Sequence, residues 1–323
     1  MLLARQGGLW HEARHENRSD DPDGAAMNAP RETDPVRLIT GLAELAGRYD
    51  ALLVDLWGCL HNGVTAYPEA VDALQRYRAG GGRVVLVSNA PRRNEAVQRQ
   101  IEGFGVPADS YDAVMTAGEA LRLEIEEAGD PWYAALRETF HHIGTERDAN
   151  LLEGLRFRRV ASPDEADFVL CCGIRAAGDT LEAFAEETAA SLARGLPMVS
   201  ANPDRFVLRG PTRELCAGAI ALDYAARGGA MRQEGKPYPA VYRRSQALLG
   251  GIPAGRILAV GDGIETDILG ARDAGIDALW ITGGLPANFW GVAPEAAPPH
   301  DRVLAACAEH GVRPLGVLPL LRW

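Results

Sequence analysis

The sequence predicts an α/β protein that is built on a parallel sheet and carries a second α/β segment large enough to form its own domain. Short apolar runs of strand length alternate along the chain with segments of helical periodicity. At residues 51–88 a strand, a helix and a strand follow closely, which is the order of a parallel βαβ unit. The chain of 323 residues also exceeds the usual size of one domain, so two domains are expected.

The predicted elements begin with a short helix at 38–45, where leucines recur at helical spacing. The apolar run at 51–54 indicates a buried strand, and a helix then extends to the three glycines at 80–82, which are a strong stop signal. A second buried strand follows at 84–87. The same patterns predict further helices at 94–104, 117–128, 180–192, 217–226 and 238–249, and strands at 113–115, 140–144, 168–172, 197–200, 256–260 and 278–281.

The first buried strand ends in a carboxylate, Asp55, and a glycine follows three positions later. Ligands bind beyond the carboxyl ends of the strands in an open parallel sheet, so Asp55 is predicted to point into a cleft. An ionised carboxylate is costly to bury without a partner. Asp55 therefore indicates a cation, a hydrogen-bonded role or a reaction at this strand end, unless it only caps a turn.

Composition excludes some classes of function. The formal net charge of −11 argues against nucleic acid or an acidic membrane surface as the main partner, but not against a small anionic ligand. No apolar stretch approaches the length of a membrane span. The five cysteines are odd in number without a Cys-x-x-Cys pair, and the N-terminus lacks a signal-peptide pattern. These features predict a cytoplasmic protein with reduced thiols.

Residues 1–34 show no sustained apolar period and are predicted to form a disordered tail. Met27 offers an alternative start, in which case the first 26 residues would not belong to the native protein. The folded part is therefore expected to begin near residue 35.

Three acidic side chains are candidate metal ligands. Asp55 follows the first buried strand, and Asp262 and Asp267 follow the strand predicted at 256–260. Carboxylates that face each other at separate strand ends repel unless a cation lies between them. Oxygen ligands without histidine or cysteine favour Mg²⁺, which usually keeps waters and a substrate phosphate in its shell.

Other polar groups at the same strand ends suit a phosphate. Ser88 and Asn89 follow the second strand and offer a hydroxyl and an amide, and Lys236 offers a point charge. The backbone N–H groups of Leu56 and Trp57 would add an anion-binding nest. A carboxylate nucleophile beside a metal and a lysine makes a phosphoryl-transfer site.

The order and spacing of these segments resemble the haloacid dehalogenase-like hydrolase superfamily, specifically its class IIA phosphatases. The resemblance covers residues 53–284 and includes the stretch at 201–204, which looks like the return of the chain from the cap to the core. Four weak motifs in the right order carry it. Their residues are Asp55 at the nucleophile position, Ser88 in the second motif, Lys236 in the third, and Asp262 and Asp267 in the fourth.

The resemblance implies a Rossmann-like parallel-sheet core, formed by residues 35–92 and 198–323, with an inserted α/β cap domain at 93–197. It also implies a Mg²⁺-dependent phosphohydrolase of small phosphorylated metabolites, with sugar phosphates as one candidate class. Asp55 would form an aspartyl-phosphate that water hydrolyses, and Lys236 would steady both groups. Asp55, the backbone carbonyl of Trp57 and Asp262 would hold the metal, and Asp267 would anchor its shell. The cap could provide a homodimer surface.

The chain departs from the family at Trp57, where such phosphatases usually have a second Asp that acts as general acid and base. An indole cannot shuttle a proton. The loss of a general acid–base usually lowers the rate by about 10²–10⁴-fold. His61, Cys59 or a cap residue could replace it, and His61 ranks first because imidazole titrates near neutral pH. A solvated loop position is the plainer interpretation of His61.

Two alternatives therefore remain beside the phosphohydrolase. A catalytically weakened phosphate-binding or regulatory protein would also explain Trp57. An aromatic residue at this position also resembles the carbon–halogen hydrolases of the superfamily, which carry Tyr there. Those enzymes need no metal and lack the Gly-Asp-x₄-Asp pattern at 261–267, so this alternative ranks lower.

Overall fold

The structure is a computed structural model that describes residues 36–209 and 212–323. The tail predicted at 1–34 lies outside the described residues. The described part forms two parallel sheets and a two-stranded hairpin. The strands are β1 (Arg37–Leu38), β2 (Ala51–Asp55), β3 (Arg83–Ser88), β4 (Ala113–Thr116), β5 (Thr139–Ile143), β6 (Arg158–Val160), β7 (Phe168–Cys171), β8 (Met198–Ser200), β9 (Phe206–Arg209), β10 (Thr212–Leu215), β11 (Met231–Gln233), β12 (Ile257–Gly261), β13 (Asp277–Ile281) and β14 (Gly316–Leu318).

The larger sheet has seven parallel strands in the order β1-β14-β13-β12-β2-β3-β4. β2 lies between β12 and β3, and all five of its residues are buried. This burial explains its continuous apolar run, because a central parallel strand is covered on both faces. The carboxyl ends of β2, β3 and β12 lie at one edge of the sheet, so the residues that follow them share a cleft.

The smaller sheet has five parallel strands in the order β11-β8-β7-β5-β6. The predicted α/β class, with a Rossmann-like parallel sheet and an additional cap sheet, is confirmed. Sheet membership differs from the expected domain boundaries at 93–197. β4 pairs with β3 in the larger sheet, whereas β8 and β11 pair with each other in the smaller one. The division into a core and a cap stays a prediction. Along the chain, the strands up to β4 belong to the larger sheet, β5 to β8 and β11 belong to the smaller one, and the strands from β12 onward belong to the larger sheet again.

Helices cover the sheets and connect their strands. The prediction of a helix at 38–45 is wrong at its start, because Leu38 pairs with Val317 at the edge of the larger sheet. Within the described residues no helix is both long and apolar enough to cross a membrane. The helices are α1 (Ala43–Ala46), α2 (Pro68–Ala79), α3 (Asn94–Gly103), α4 (Ala117–Glu127), α5 (Pro131–Ala134), α6 (Ala185–Ala193), α7 (Ala217–Ala226), α8 (Pro239–Leu248), α9 (Leu269–Asp273), α10 (Leu285–Trp290) and α11 (His300–His310).

Candidate active site

A cavity of about 660 Å³ opens at the carboxyl edge of the larger sheet. β2 delivers its last residue, Asp55, to the cavity, and β3 delivers Ser88. The structure brings most of the predicted site residues to this cavity, although Leu56 and His61 are not among those that line it. The predicted residues that line it are Asp55, Trp57, Ser88, Asn89, Lys236, Asp262 and Asp267.

Lys236 is the only lysine in the chain, and its ammonium group lies at the centre of the site. It pairs with Asp55 Oδ1, lies 2.8 Å from Asp267 Oδ1, and donates to the Val87 carbonyl at 3.1 Å. Burial alone would lower the pKa of Lys236, but the two carboxylates outweigh it and raise that pKa well above its ordinary value. Lys236 is therefore a cation at every physiological pH.

Three buried carboxylates face this single ammonium. Burial raises the pKa of Asp55 to about 7 against the opposing effect of Lys236, and burial together with Asp55 raises the pKa of Asp262 well above its ordinary value. The excess of negative charge would be relieved by a cation. Asp55, Asp262 and the Cys59 thiol each offer one ligand atom, and these atoms lie within 4.8 Å of one another. The carboxylates fit Mg²⁺, which prefers oxygen ligands.

Glycines allow the Asp262 carboxylate to approach the backbone closely. A Cβ atom at either Gly58 or Gly284 would overlap that carboxylate, and Gly58 also has a φ of +80°, which favours glycine. The Leu285 backbone N–H donates to Asp262 Oδ2 at 2.7 Å. The Trp280 indole donates to the Asp262 carbonyl at 2.9 Å. The position of Asp262 is thus set from several sides before any ligand binds.

Asn89 joins the loops that carry Lys236 and Asp204. Its Oδ1 accepts from the Lys236 N–H at 2.7 Å, and its Nδ2 donates to the Lys236 carbonyl at 3.1 Å and to Asp204 Oδ1 at 2.7 Å. Both amide hydrogens are engaged in these bonds, so the side chain positions Lys236. This weighs against the predicted phosphate contact of Asn89, which stays a prediction. Asp204 also lines the cavity, and burial raises its pKa to about 6. The Asn-Pro-Asp sequence after a strand was the available signal for Asp204.

Ser88 and the turn after Asp55 provide the remaining groups for an anion. The Ser88 hydroxyl accepts from the Ala90 N–H at 3.2 Å and keeps its own hydrogen for donation. Leu56 is buried, and its carbonyl accepts from the N–H groups of Leu60 at 2.8 Å and His61 at 3.0 Å. These bonds close a tight turn directly after the nucleophile position. The predicted phosphate contacts of Leu56 and Trp57 stay predictions.

Trp57 lines the cavity while His61 packs beside it. The two rings meet edge to face with centroids 5.4 Å apart, and the His61 ring also contacts Phe104 at 5.0 Å. His61 Nδ1 accepts from the Gly63 N–H at 3.0 Å. Burial lowers the pKa of His61 to about 4, so the imidazole is neutral at pH 7. The predicted role of His61 as replacement acid is untested, and this environment weighs against it.

The hairpin of β9 and β10 contributes an apolar wall that the sequence patterns did not predict. Phe206, Val207 and Leu208 line the cavity together with its charged groups. The Arg213 guanidinium lies 3.6 Å from the Phe206 ring centroid and 5.2 Å from that of Phe289 on α10. The Gly-Pro pair between the two strands was the available turn signal.

Comparisons with known proteins agree on one family. A haloacid dehalogenase-like hydrolase model matches residues 52–158, and a HAD-hydrolase-like model matches residues 233–305. A solved hydrolase of the haloacid dehalogenase-like family from Brucella suis 1330 is 37% identical, with a TM-score of 0.74, and the match covers 88% of this chain and 100% of the other.

Two further similarities come from Mycobacterium tuberculosis. Its D-glycerol 3-phosphate phosphatase is 28% identical over 248 residues, which are 76% of this chain and 66% of that relative. A solved glycerol phosphate phosphatase in complex with magnesium is 26% identical with a TM-score of 0.58, and the match covers 74% of this chain and 69% of the other. This chain thus spans about two thirds of the length of these relatives. Family models, sequence identity and fold lead to one assignment: the chain belongs to the haloacid dehalogenase-like hydrolase family.

Proposed function

We propose that this hydrolase is a Mg²⁺-dependent phosphohydrolase of small phosphorylated metabolites, sugar phosphates being one candidate class, and that it acts through an aspartyl-phosphate on Asp55. The observation that carries the proposal is the grouping of Asp55, Asp262 and Asp267 around one buried lysine in a cavity. The relatives named as phosphatases support the same reaction class, and one of them was solved with magnesium.

Each residue has a distinct role in the proposed first step. A carboxylate oxygen of Asp55 attacks phosphorus, and the bond from phosphorus to the ester oxygen breaks as the leaving group departs with its electron pair. Lys236 holds that carboxylate and the incoming phosphate oxygens by charge. The Ser88 hydroxyl and the N–H groups of Leu56 and Trp57 donate to the phosphate. Asp55, the Trp57 carbonyl and Asp262 would hold Mg²⁺, with Asp267 anchoring its shell. Bound Mg²⁺ would neutralise charge on the phosphate oxygens.

In the second step, water attacks the phosphorus of the aspartyl-phosphate and the bond from phosphorus to the Asp55 oxygen breaks. Phosphate leaves with the oxygen and the protons of the water, and the Asp55 carboxylate is restored. The second Asp of the family pattern is Trp57 here, and an indole neither gives nor takes a proton at neutral pH. The hairpin, which lines the cavity, would contribute to the choice of substrate. A homodimer and a cytoplasmic location are part of the same proposal.

The test measures p-nitrophenyl phosphate hydrolysis with and without Mg²⁺. Turnover is expected in the wild type, with loss on chelation and in Asp55→Asn. Asp50→Asn is the matched control, because Asp50 precedes the same strand at its other end and pairs with Arg256. If Asp55→Asn kept wild-type turnover, the nucleophile assignment would be wrong.

A second candidate function is a phosphate-binding or regulatory protein with weak catalysis. Trp57 favours it, since this residue removes the usual proton carrier. Phosphate and Mg²⁺ would then raise the melting temperature while turnover stayed negligible. Multiple turnovers well above Asp55→Asn would exclude this alternative. The excess of buried negative charge does not favour a metal-free carbon–halogen hydrolase.

A further inference from the structure

The side of the cavity where the family pattern has a proton donor is aromatic in this protein. Trp57 lines the cavity there, and its indole is held in place, because a Cβ atom at Gly63 would overlap it. His61 packs against the Trp57 indole edge to face and is not among the lining residues. Its Nδ1 is occupied by the Gly63 N–H. A leaving group beside Trp57 therefore receives no proton from residues 57 or 61.

Among the lining residues that the structure describes, Asp204 is a rival proton donor. Its Oδ1 is already bonded to the amide of Asn89 at 2.7 Å, and that amide is in turn bonded to Lys236. The Asp204 backbone N–H also donates to the Asn202 side chain at 2.8 Å. These bonds tie Asp204 to the network that positions Lys236, which is a different task from protonating a leaving group.

Part of the cavity lining is apolar and available to a leaving group. Phe206, Val207 and Leu208 come from the hairpin, and Leu285, Val292 and Pro294 come from the segment after β13. Arg213 stacks on both Phe206 and Phe289, which ties the hairpin to α10. A flat apolar group gains contact area on such a wall, whereas a hydroxylated chain would lose hydrogen bonds to water there.

We propose that the enzyme is selective for phosphomonoesters with a flat, largely apolar and acidic leaving group, namely aryl and enol phosphates, over alkyl phosphates. The inference rests on the proposed function and narrows its substrate class away from sugar phosphates. An Asp55 oxygen forms a bond to phosphorus, and the bond to the leaving oxygen breaks with its electron pair. The phenolate or enolate departs as a stable anion without a proton. Water then adds its oxygen and both protons to the phosphate, which leaves as dihydrogen phosphate and restores the Asp55 carboxylate.

The experiment measures kcat/KM for a series from p-nitrophenyl to phenyl phosphate, and for glycerol 3-phosphate as the alkyl probe. This ratio reports the steps through leaving-group departure. In the wild type, kcat/KM is expected to fall steeply as the leaving group becomes more basic. The alkyl ester is expected to lie at least about 10²-fold below phenyl phosphate, the usual effect of a general acid.

Variants at two positions distinguish the effect of the missing general acid from the effect of the apolar wall. Trp57→Asp restores a carboxyl group and is expected to raise the alkyl rate relative to the aryl rates, whereas Trp57→Phe keeps the steep dependence. Phe206→Ala is expected to raise KM for phenyl phosphate without changing the dependence on leaving-group basicity. The wild-type profile alone decides the question if a Trp57 variant does not fold.

Alkyl turnover within about tenfold of phenyl phosphate in the wild type would overturn the inference, since a general acid is worth more than that. If Asp204→Asn then abolished only the alkyl turnover, Asp204 would be the acid, and the inference would again be wrong. The absence of turnover on every ester, p-nitrophenyl phosphate included, would remove the proposed function itself.

Discussion

At the residue scale, the buried ion pairs of the site depend on the shape of one side chain, that of Lys236. Every other basic side chain besides histidine is an arginine, yet the buried pairing with Asp55 and Asp267 uses a lysine. An ammonium is a compact point charge, whereas a guanidinium is planar and larger. The side chain of Lys236 is only 4% exposed, and a wider guanidinium at this position would have to displace groups packed around the ammonium.

Replacing Lys236 by arginine is therefore expected to lower the activity strongly, although the charge is kept. Lys236→Arg and Lys236→Met should both lower kcat by about 10²–10³-fold, the usual effect of removing a positioned electrostatic group. Lys236→Met should also lower the free energy of unfolding by about 3–5 kcal/mol, since it leaves buried carboxylates unpaired. Urea unfolding and p-nitrophenyl phosphate kinetics measure the two effects. A fully active Lys236→Arg would contradict the argument from shape.

Gly58 offers a second test at the residue scale. Gly58→Ala should sharply weaken Mg²⁺ binding, because the added Cβ would overlap the Asp262 carboxylate. Gly81→Ala is the matched control, since Gly81 has a φ of +92° with nothing within 4 Å of the added atom. In both variants the free energy of unfolding should fall by about 1–2 kcal/mol, because alanine is disfavoured in the left-handed backbone conformation. Calorimetric Mg²⁺ titration separates them, and equal affinities would show that Gly58 does not control the ion site.

His61 should make stability depend on pH. Burial lowers its pKa from 6.5 to about 4, so the folded protein disfavours the charged ring. The stabilisation is fully present above pH 6.5 and is lost as the pH falls toward 4, by up to about 3 kcal/mol. Unfolding free energies of wild type and His61→Phe should therefore converge or cross on acidification. A parallel pH dependence in both proteins would place the titration elsewhere, and the same variant tests the predicted catalytic role.

At the scale of elements, the buried strands were predictable and the short partly exposed ones were not. β2, β3, β7 and β12 carry unbroken apolar runs because both of their faces are covered. β11 reads Met-Arg-Gln and has only one neighbouring strand, so no apolar run marks it. Such an edge strand is defined by its pairing with a strand that lies far away in the chain. Sequence periodicity does not report that pairing.

The hairpin is expected to act on substrate affinity. Arg213→Ala removes the stack on Phe206 and Phe289, and each exposed cation–π contact is worth about 0.5–1 kcal/mol. KM for an aryl phosphate should rise a few-fold while kcat and the melting temperature change little. Arg156→Ala is the control, because Arg156 stacks on Phe157 at 4.7 Å, and neither residue lines the cavity. If kcat fell instead, the hairpin would bear on the chemistry and not on binding.

At the scale of the whole molecule, the site depends on contacts between segments far apart in the chain. The motifs predicted that Asp55, Lys236, Asp262 and Asp267 share one edge of a sheet. They did not predict that Asn89 would hold the backbone of a residue 147 positions away. An amide side chain after a strand suits a ligand and a structural clamp equally well, and only the fold shows which partner reaches it.

The grouping of these carboxylates around Lys236 also predicts how the stability of the whole fold responds to Mg²⁺. Without a cation, the carboxylates of Asp55, Asp262 and Asp267 repel each other beside one ammonium, and this repulsion destabilises the folded state. Asp55→Asn removes one charge, so it should melt at a higher temperature than the wild type when no metal is present. Mg²⁺ at one hundred times its dissociation constant should stabilise the wild type by about 2.7 kcal/mol, because it binds the folded chain. The variant has lost a ligand and should gain far less. Calorimetric melting of both proteins with chelator and with Mg²⁺ measures this reversal of order, and an equal gain in both would place the bound ion outside the three carboxylates.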